Sequence, residues 1–256
     1  MKKDNIFLSI IIPQYNELSN LKKGLLHSAF EYLSEQSFSY EVLIVDDGST
    51  DGSLEYLKEN YSDKDFLKII GAEHGGKPAA INRGIQESSG EYILFTDMDQ
   101  STPLSELDQL LPFIAENHAV IGSRGGKRNS ATVTRKIAGF LFSSFRKLFL
   151  LRQIDDTQCG FKLFRTDILS ETFPKLNALK AQNVKGWSVS AFDVELLYLI
   201  QKKGGKIKEV RVKWNDEDVS GTKNRKFLLE SSDMLKQMLL VVWREVKGEY
   251  GKIRKN

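Results

Sequence analysis

The sequence has little of several residue types, and each shortage argues against a class of protein. Cys159 is the only cysteine among 256 residues, so the chain cannot form an internal disulfide, which fits a reducing compartment. The three histidines lie far apart and have no cysteine cluster beside them, which argues against a structural zinc site. No apolar run reaches the roughly 18 to 20 residues needed to cross a bilayer. We therefore expect a globular protein without disulfides, a structural zinc site or a membrane-spanning segment.

Acidic residues are missing from one long window. Residues 117 to 154 contain no Asp or Glu, although the net charge of the whole chain is only +3. The basic residues of this window are Arg124, Lys127, Arg128, Arg135, Lys136, Arg146, Lys147 and Arg152. Such a block attracts phosphate groups on nucleic acid, lipid headgroups or a phosphorylated substrate. Its aromatic, leucine-rich part at 137–151 is either a surface seated at a membrane or a core helix with solvated basic residues.

The first half of the chain alternates strand-like and helix-like segments. Apolar, β-branched runs occur at Ile6–Ile12, Tyr40–Val45, Phe66–Ile70, Glu91–Thr96 and Ala119–Gly122. Helical patterns lie between them at Leu18–Leu33, Ser53–Asn60, Pro78–Glu87 and Pro103–Asn117. Strands separated by single helices predict an α/β fold with a mostly parallel sheet. We expect a catalytic domain over residues 1–225, followed by an amphipathic helix and tail over 226–256.

Two aspartates follow the fourth predicted strand, in I-L-F-T-D-M-D-Q-S-T-P (Ile93–Pro103). Alternate strand residues share a face, so Asp97 and Asp99 would point the same way at the carboxyl edge of the sheet, where α/β sheets bind ligands. Two carboxylates there, followed by Ser101, make a hard-oxygen site that suits Mg²⁺ or Mn²⁺ bridged to nucleotide phosphates. The alternative for a D-x-D alone is an acidic turn without a ligand.

Two other classes of function fit the sequence less well. The segment Gly71–Lys77 has the spacing of a P-loop, but Pro78 stands where a Mg²⁺-binding hydroxyl is required. Lys77 is then either a phosphate contact or a surface lysine at a helix start. A nucleic-acid-binding module would use the basic window, yet the chain carries no recognised nucleic-acid fold signature, and an acidic rim would repel the backbone. We therefore expect no nucleic-acid partner.

Three motifs resemble the family 2 glycosyltransferases, inverting sugar transferases of the GT-A fold, in order and spacing. They are S-I-I-I-P-Q-Y-N-E (Ser9–Glu17), V-L-I-V-D-D-G-S-T-D-G-S (Val42–Ser53) and the D-M-D strand end. The resemblance continues through I-G-S-R (Ile121–Arg124), D-D-T-Q-C-G-F-K-L-F (Asp155–Phe164) and F-D-V-E-L-L (Phe192–Leu197). The last two look most like the dolichyl-phosphate glucosyltransferase branch.

The resemblance implies a GT-A (Rossmann-like) fold with bound Mg²⁺ or Mn²⁺. It further implies transfer of glucose from UDP-glucose to a polyprenyl or dolichyl phosphate. The alternative is a family 2 transferase that uses another nucleotide sugar, or a hydroxyl acceptor in surface polysaccharide or glycan synthesis.

The resemblance also implies roles for individual residues. Asp97 and Asp99 would hold the metal and the diphosphate, with Ser101 as a candidate third ligand. The other candidate contacts to the nucleotide sugar are Pro13, Tyr15, Glu17, Val45, Asp47, Lys77, Met98 and Arg124. Asp47 is favoured over Asp46 for accepting a hydrogen bond from a uracil imide. The acceptor phosphate would lie at Arg124, Arg135 and Gly139.

The acceptor decides whether a general base is needed. An alcohol needs a carboxylate to take its proton, whereas a phosphate monoester, with a second pKa near ~6, is already a nucleophile. Asp193 is the catalytic candidate, and Asp193 and Glu195 are either bases or helix-anchoring carboxylates. A lipid acceptor predicts peripheral attachment at the cytoplasmic face of a membrane, directly or through a separate membrane partner. Phe227–Val246 would then be a second membrane contact or the face of a homo-oligomer.

Overall fold

A computed structural model of the chain describes residues 6–125, 150–180, 192–215 and 227–251. Within these ranges, seven strands form one sheet in the order β3-β2-β1-β4-β6-β5-β7. They are β1 (Leu8–Gln14), β2 (Tyr40–Asp46), β3 (Leu67–Gly71), β4 (Tyr92–Phe95), β5 (Ala119–Ser123), β6 (Lys162–Arg165) and β7 (Ile207–Arg211). The first four strands pair in parallel, so their carboxyl ends meet at one edge, here called the rim. The mostly parallel α/β sheet that the sequence predicts is confirmed.

The helices of the described residues lie between these strands or follow the last of them. They are α1 (Leu18–Lys22), α2 (Leu25–Ser34), α3 (Ser53–Tyr61), α4 (Lys77–Glu87), α5 (Leu107–Ile114), α6 (Thr166–Thr172), α7 (Phe192–Lys202) and α8 (Phe227–Val246), with short 3₁₀ turns at Leu104–Glu106, Phe173–Lys175 and Asn177–Lys180. The first predicted helix is in fact two, because the backbone turns at Gly24 with φ of 78°. Only glycine adopts that conformation freely.

The central strands are buried on both faces, which fixes the backbone that leads to the rim. All seven residues of β1 are buried. Ile10 and Ile12 lie in one apolar cluster, whereas Ile11 lies in the other, on the opposite face of the sheet. A strand covered on both sides reads as a continuous apolar run, as S-I-I-I-P does.

An antiparallel strand that the sequence did not predict separates β4 from β5. Strand β6 pairs antiparallel with both neighbours, and Lys162 lies in register with Phe95, the last residue of β4. Because β6 runs against β4, the residues just before it lie beside the turn that follows β4. The D-D-T-Q-C-G-F-K-L-F motif therefore reaches the rim through this strand.

The C-terminal helix α8 packs against α7 through one face. Met238 and Val241 are buried in the cluster that also contains α7 residues, and the ammonium of Lys202 contacts the Glu245 carboxylate. Its other face exposes Leu235, Leu239, Trp243 and Val246. Among the described helices, none is both long and apolar enough to cross a membrane. The domain boundary at residue 225 stays a prediction.

Candidate active site

The two aspartates of the D-M-D segment lie in a turn at the rim. Strand β4 ends at Phe95, earlier than predicted, so a turn and not strand alternation sets the two carboxylates. Gln100, with φ of 49°, donates its backbone N–H to the Asp97 carbonyl at 3.2 Å. Asp99 Oδ1 accepts a 2.9 Å hydrogen bond from the Ser101 N–H. The turn thus holds both carboxylates on a short, internally bonded segment.

Lys77 reaches Asp97 from the start of α4. Its Nζ lies 2.5 Å from Asp97 Oδ1, with the lysine side chain 10% exposed and the aspartate side chain 39% exposed. Burial by itself lowers the pKa of Lys77, but the negative charges of Asp97, Asp193 and Asp99 outweigh it, so the pKa is raised. The lysine is therefore charged, and its ammonium pairs directly with Asp97.

Asp47 fastens the loop between β3 and α4. Its two carboxylate oxygens accept hydrogen bonds from the N–H groups of Gly75, at 2.9 Å, and Gly76, at 2.8 Å. His74 Nδ1 lies 2.8 Å from the same carboxylate, and its ring stacks on Tyr15 with centroids 4.5 Å apart. Burial raises the pKa of Asp47 and outweighs these bonds, which lower it. The side chain is fully buried, and its predicted contact with a base stays a prediction.

Asp46 ties the ends of β1 and β2 together. Its carboxylate accepts hydrogen bonds from Gln14 Nε2 at 2.6 Å and from the Ser49 N–H at 3.0 Å. Asn16, in the left-handed region with φ of 55°, donates its N–H to Ser49 Oγ and accepts one from the Thr50 N–H, both at 2.9 Å. These bonds hold the loop after β2 against the residues that follow β1.

The other residues predicted to contact the nucleotide sugar differ in their exposure to solvent. Pro13, Val45 and Met98 are buried, and the side chains of the last two pack in the apolar clusters. Tyr15 and Glu17 are partly exposed. The N–H of Glu17 donates to Ser53 Oγ at 2.9 Å, which joins the loop after β1 to the start of α3. Binding roles for all five stay predictions.

Arg124, at the end of β5, is held by Asp156. Its Nε and Nη2 donate to the two carboxylate oxygens at 2.8 and 2.9 Å, and its backbone N–H donates at 3.0 Å. Its guanidinium carbon lies 5.7 Å from the centroid of the Trp214 ring. Burial opposes ionisation of Asp156, but Arg124 outweighs it and lowers the pKa of Asp156 to about 2. The predicted phosphate-binding arginine is thus fixed by a carboxylate that the sequence reasoning did not single out.

A buried ion pair joins β6 to α7. Lys162 Nζ lies 2.6 Å from Asp193 Oδ1, with side chains only 1% and 8% exposed, and it also donates to the Cys159 carbonyl. Gly160 lies against Asp97, because a Cβ on that glycine would overlap the Asp97 carboxylate. Asp193 therefore reaches the same rim as the D-M-D turn, with a lysine as its partner.

The surroundings of Cys159 and Glu195 indicate a structural role for each residue. Burial raises the pKa of the Cys159 thiol, whose sulfur lies 3.9 Å from Thr102 Oγ1, so it is not an activated nucleophile. Glu195 accepts hydrogen bonds from Tyr250 Oη at 2.5 Å and the Asn177 N–H at 2.9 Å. This carboxylate anchors the C-terminal segment to α7.

Some predicted residues fall outside the described residues. Arg135 and Gly139, the other candidates for the acceptor phosphate, are among them, as is most of the segment 137–151. Its last two residues, Leu150 and Leu151, are buried in the core.

Sequence reasoning also gave no role to Lys162 or His74. Lys162 could have been found, since it lies within the D-D-T-Q-C-G-F-K-L-F motif.

The residues of the rim fit a divalent cation that binds together with a nucleotide. Within the described ranges, no group of three or more His, Cys, Asp or Glu side chains could hold a metal ion. Asp97 and Asp99 offer two carboxylates, and Ser101 Oγ is buried with no hydrogen-bond partner in that part of the chain. Mg²⁺ is usually bound by one or two carboxylates and completed by substrate phosphates. The donor set therefore suits a cation that arrives with a nucleotide.

Comparison with known proteins agrees with the geometry. A family model described as Glycosyl transferase family 2 matches residues 9–173. A dolichyl-phosphate beta-glucosyltransferase from Dictyostelium discoideum is 35% identical over 265 residues, which cover 96% of this chain and 76% of that protein. The protein of the same name from Saccharomyces cerevisiae is 31% identical over 273 residues, which cover 96% and 77%.

A solved structure supports the fold. Glucosyl-3-phosphoglycerate synthase from Mycobacterium tuberculosis, in complex with Mn²⁺, UDP and glucosyl-3-phosphoglycerate, superposes with a TM-score of 0.64 at 16% identity, over 93% of this chain and 80% of that chain. At that identity the likeness concerns the fold, and it confirms the predicted GT-A architecture. The match over residues 9–173, which span the rim and most of the sheet, and the 35% identity to a relative of which 76% is covered together establish that this chain belongs to glycosyl transferase family 2.

Proposed function

We propose that this glycosyltransferase transfers glucose from UDP-glucose to dolichyl phosphate or a related polyprenyl phosphate, with inversion at the anomeric carbon. The main support for this reaction is that Asp97, Asp99 and Lys77 lie at one rim. The substrates rest on the two relatives named dolichyl-phosphate beta-glucosyltransferase, which match over 96% of the chain. The family and the rim support the reaction class, and the names of the relatives support glucose as the sugar and dolichyl phosphate as the lipid.

The donor would be held between the rim and the β3–α4 loop. A divalent cation bound with the nucleotide would supply Lewis-acid neutralisation of the departing diphosphate, and Asp97 and Asp99 are the residues that would hold it. Lys77 would lie beside the same phosphates. The stacked pair of Tyr15 and His74 offers a flat aromatic wall, which suits a nucleotide base.

The proposed acceptor does not require a general base. A phosphate monoester is largely ionised at neutral pH and can attack without losing a proton first. The carboxylate of Asp193 is engaged by Lys162, which suits a positioning role better than proton abstraction. Arg124, with its side chain 23% exposed, and Arg135 are the cations proposed to attract the acceptor phosphate.

The proposal includes peripheral attachment at the cytoplasmic face of a membrane, because the acceptor would be a lipid. The exposed apolar residues of α8 recur at helical spacing, from Leu235 at 42% to Val246 at 82% exposure. The ammonium of Lys247 lies 3.9 Å from the centroid of the exposed Trp243 ring. Tryptophan beside lysine on the apolar face of a surface helix is typical of the membrane–water interface. This stripe is the proposed contact with the bilayer.

A substrate panel tests the proposal. The purified chain is incubated with Mg²⁺ or Mn²⁺ and labelled nucleotide sugars, with and without a short polyprenyl phosphate. Lipid-linked product from UDP-glucose is expected, and Asp99→Asn should abolish it together with metal-dependent UDP binding. Asp63→Asn, which removes an exposed carboxylate beyond α3, is the matched control. Product from another nucleotide sugar, or with a soluble glycan alone, would select the alternative acceptor or donor.

A further inference from the structure

Lys77 occupies a place that disfavours a lysine in two respects. It is the first residue of α4, and the N-terminus of a helix carries a partial positive charge that repels cations. It is also buried, at 8% exposure, although lysine is rarely buried unless it is paired. The stability of the helix therefore does not explain this residue.

The surroundings of Lys77 hold its ammonium against the D-M-D turn. Asp47 fixes the N–H groups of Gly75 and Gly76, and thereby the start of α4. The side chain then ends 2.5 Å from Asp97 Oδ1. The carboxylates of Asp99 and Asp193 add further negative charge around the ammonium. A cation supplied by the chain itself already sits where a cation is expected to bind.

We propose that Lys77 is the resident counter-ion of the Asp97–Asp99 pair and competes with the divalent cation for Asp97 until nucleotide phosphates draw the ammonium away. A metal ion and an ammonium on one carboxylate would repel each other at a few ångströms. A diphosphate offers Lys77 another anionic partner, which leaves Asp97 to the metal. Cation and nucleotide would then each promote the binding of the other, by reciprocal coupling. The identity of that nucleotide rests on the proposed function, but the competition itself does not.

The first test is a titration of the full chain with Mn²⁺ alone, in which electron paramagnetic resonance measures the concentration of free Mn²⁺. Lys77→Met should bind Mn²⁺ at least about tenfold more tightly than the unmodified chain, because a competing charge is lost. Lys77→Arg keeps the charge and should behave like the unmodified chain. Lys68→Met removes a lysine that pairs with Glu87 on the surface, and it controls for the loss of one positive charge elsewhere.

The second test adds UDP. In the unmodified chain, UDP should tighten Mn²⁺ binding by a clearly larger factor than in Lys77→Met, since only the former has an ammonium to displace. In an Asp97→Asn background, Lys77→Met should give no further tightening. Lys77→Gln repeats the series if Lys77→Met does not fold, as judged by circular dichroism.

Equal Mn²⁺ affinity of the unmodified chain and the charge-removing variants without UDP would overturn the proposal. So would tightening by Lys68→Met of the same size. These measurements need neither a sugar nor a lipid. A failed substrate panel with tighter Mn²⁺ binding by Lys77→Met would therefore reject the proposed function alone.

Discussion

Replacing Asp156 by asparagine tests how strongly the Arg124 pair stabilises the rim. The Arg124 bonds hold the pKa of Asp156 at about 2, against an ordinary value of 3.8. At about 1.36 kcal/mol per pKa unit, this difference means that the ionised carboxylate stabilises the fold by about 2 kcal/mol. The side chain is only 16% exposed, so solvent screening reduces this value little. We expect Asp156→Asn to lower the free energy of unfolding by about that amount at pH 7.

The pH dependence has a defined sign. An acid whose pKa is lower in the folded than in the unfolded chain stabilises the fold above its ordinary pKa, and that contribution is lost as the pH falls through both values. The unmodified chain should therefore approach the variant between about pH 5 and pH 2, with roughly half of the difference left at pH 3.

Urea unfolding followed by circular dichroism at pH 7 and at steps down to pH 3 measures this difference. Asp63→Asn is again the control, because its carboxylate is exposed and its loss should change the free energy of unfolding by less than about 0.5 kcal/mol. A difference between Asp156→Asn and the unmodified chain that is absent at pH 7, or that does not shrink with falling pH, would refute the reasoning.

Three further changes test other parts of the molecule. Asp193→Asn should lower the free energy of unfolding, measured in urea, by about 3–5 kcal/mol, because its lysine partner stays buried. Turnover of the folded fraction should stay within a few-fold of the unmodified chain. A large loss of turnover at unchanged KM would identify Asp193 as a base. Gly160→Ala should displace the Asp97 carboxylate and lower turnover and Mn²⁺ affinity, turnover by about a hundredfold; unchanged kinetics would contradict that contact. The double variant Leu239→Ser/Trp243→Ser removes exposed groups and should leave the free energy of unfolding within about 0.5 kcal/mol while weakening sedimentation with anionic vesicles; retained vesicle binding would exclude α8 as the membrane contact.

The parallel half of the fold was predictable because its signals are local. The strands β1, β2 and β4 are largely buried, so they appear in the sequence as continuous apolar runs. Their parallel pairing then places the loops after β1, β2 and β4 at one rim. The splitting of the first helix was missed, although Gly24 is visible in the sequence, because a glycine inside an apolar helical pattern is usually tolerated.

The antiparallel part was not predictable in the same way. Strand β6 has four residues, K-L-F-R, too few for a periodic pattern. Its Lys162 reads as a solvent-exposed residue, yet it is buried because Asp193 lies against it from a helix that begins thirty residues later. The pairing of Lys77 with Asp97 is equally non-local. Sequence reasoning thus found the carboxylates of the rim and Lys77, but it found neither Lys162 nor the pairing of each lysine with its carboxylate.

The insertion of β6 between β4 and β5 has a consequence for the nascent chain. Until residues 162–165 have left the ribosome, β4 lacks the neighbour that covers its outer side, and an open strand edge pairs readily with other extended chains. A fragment that stops before this segment would carry the D-M-D turn on an uncovered border. Truncated products of that length are therefore expected to self-associate instead of remaining dispersed.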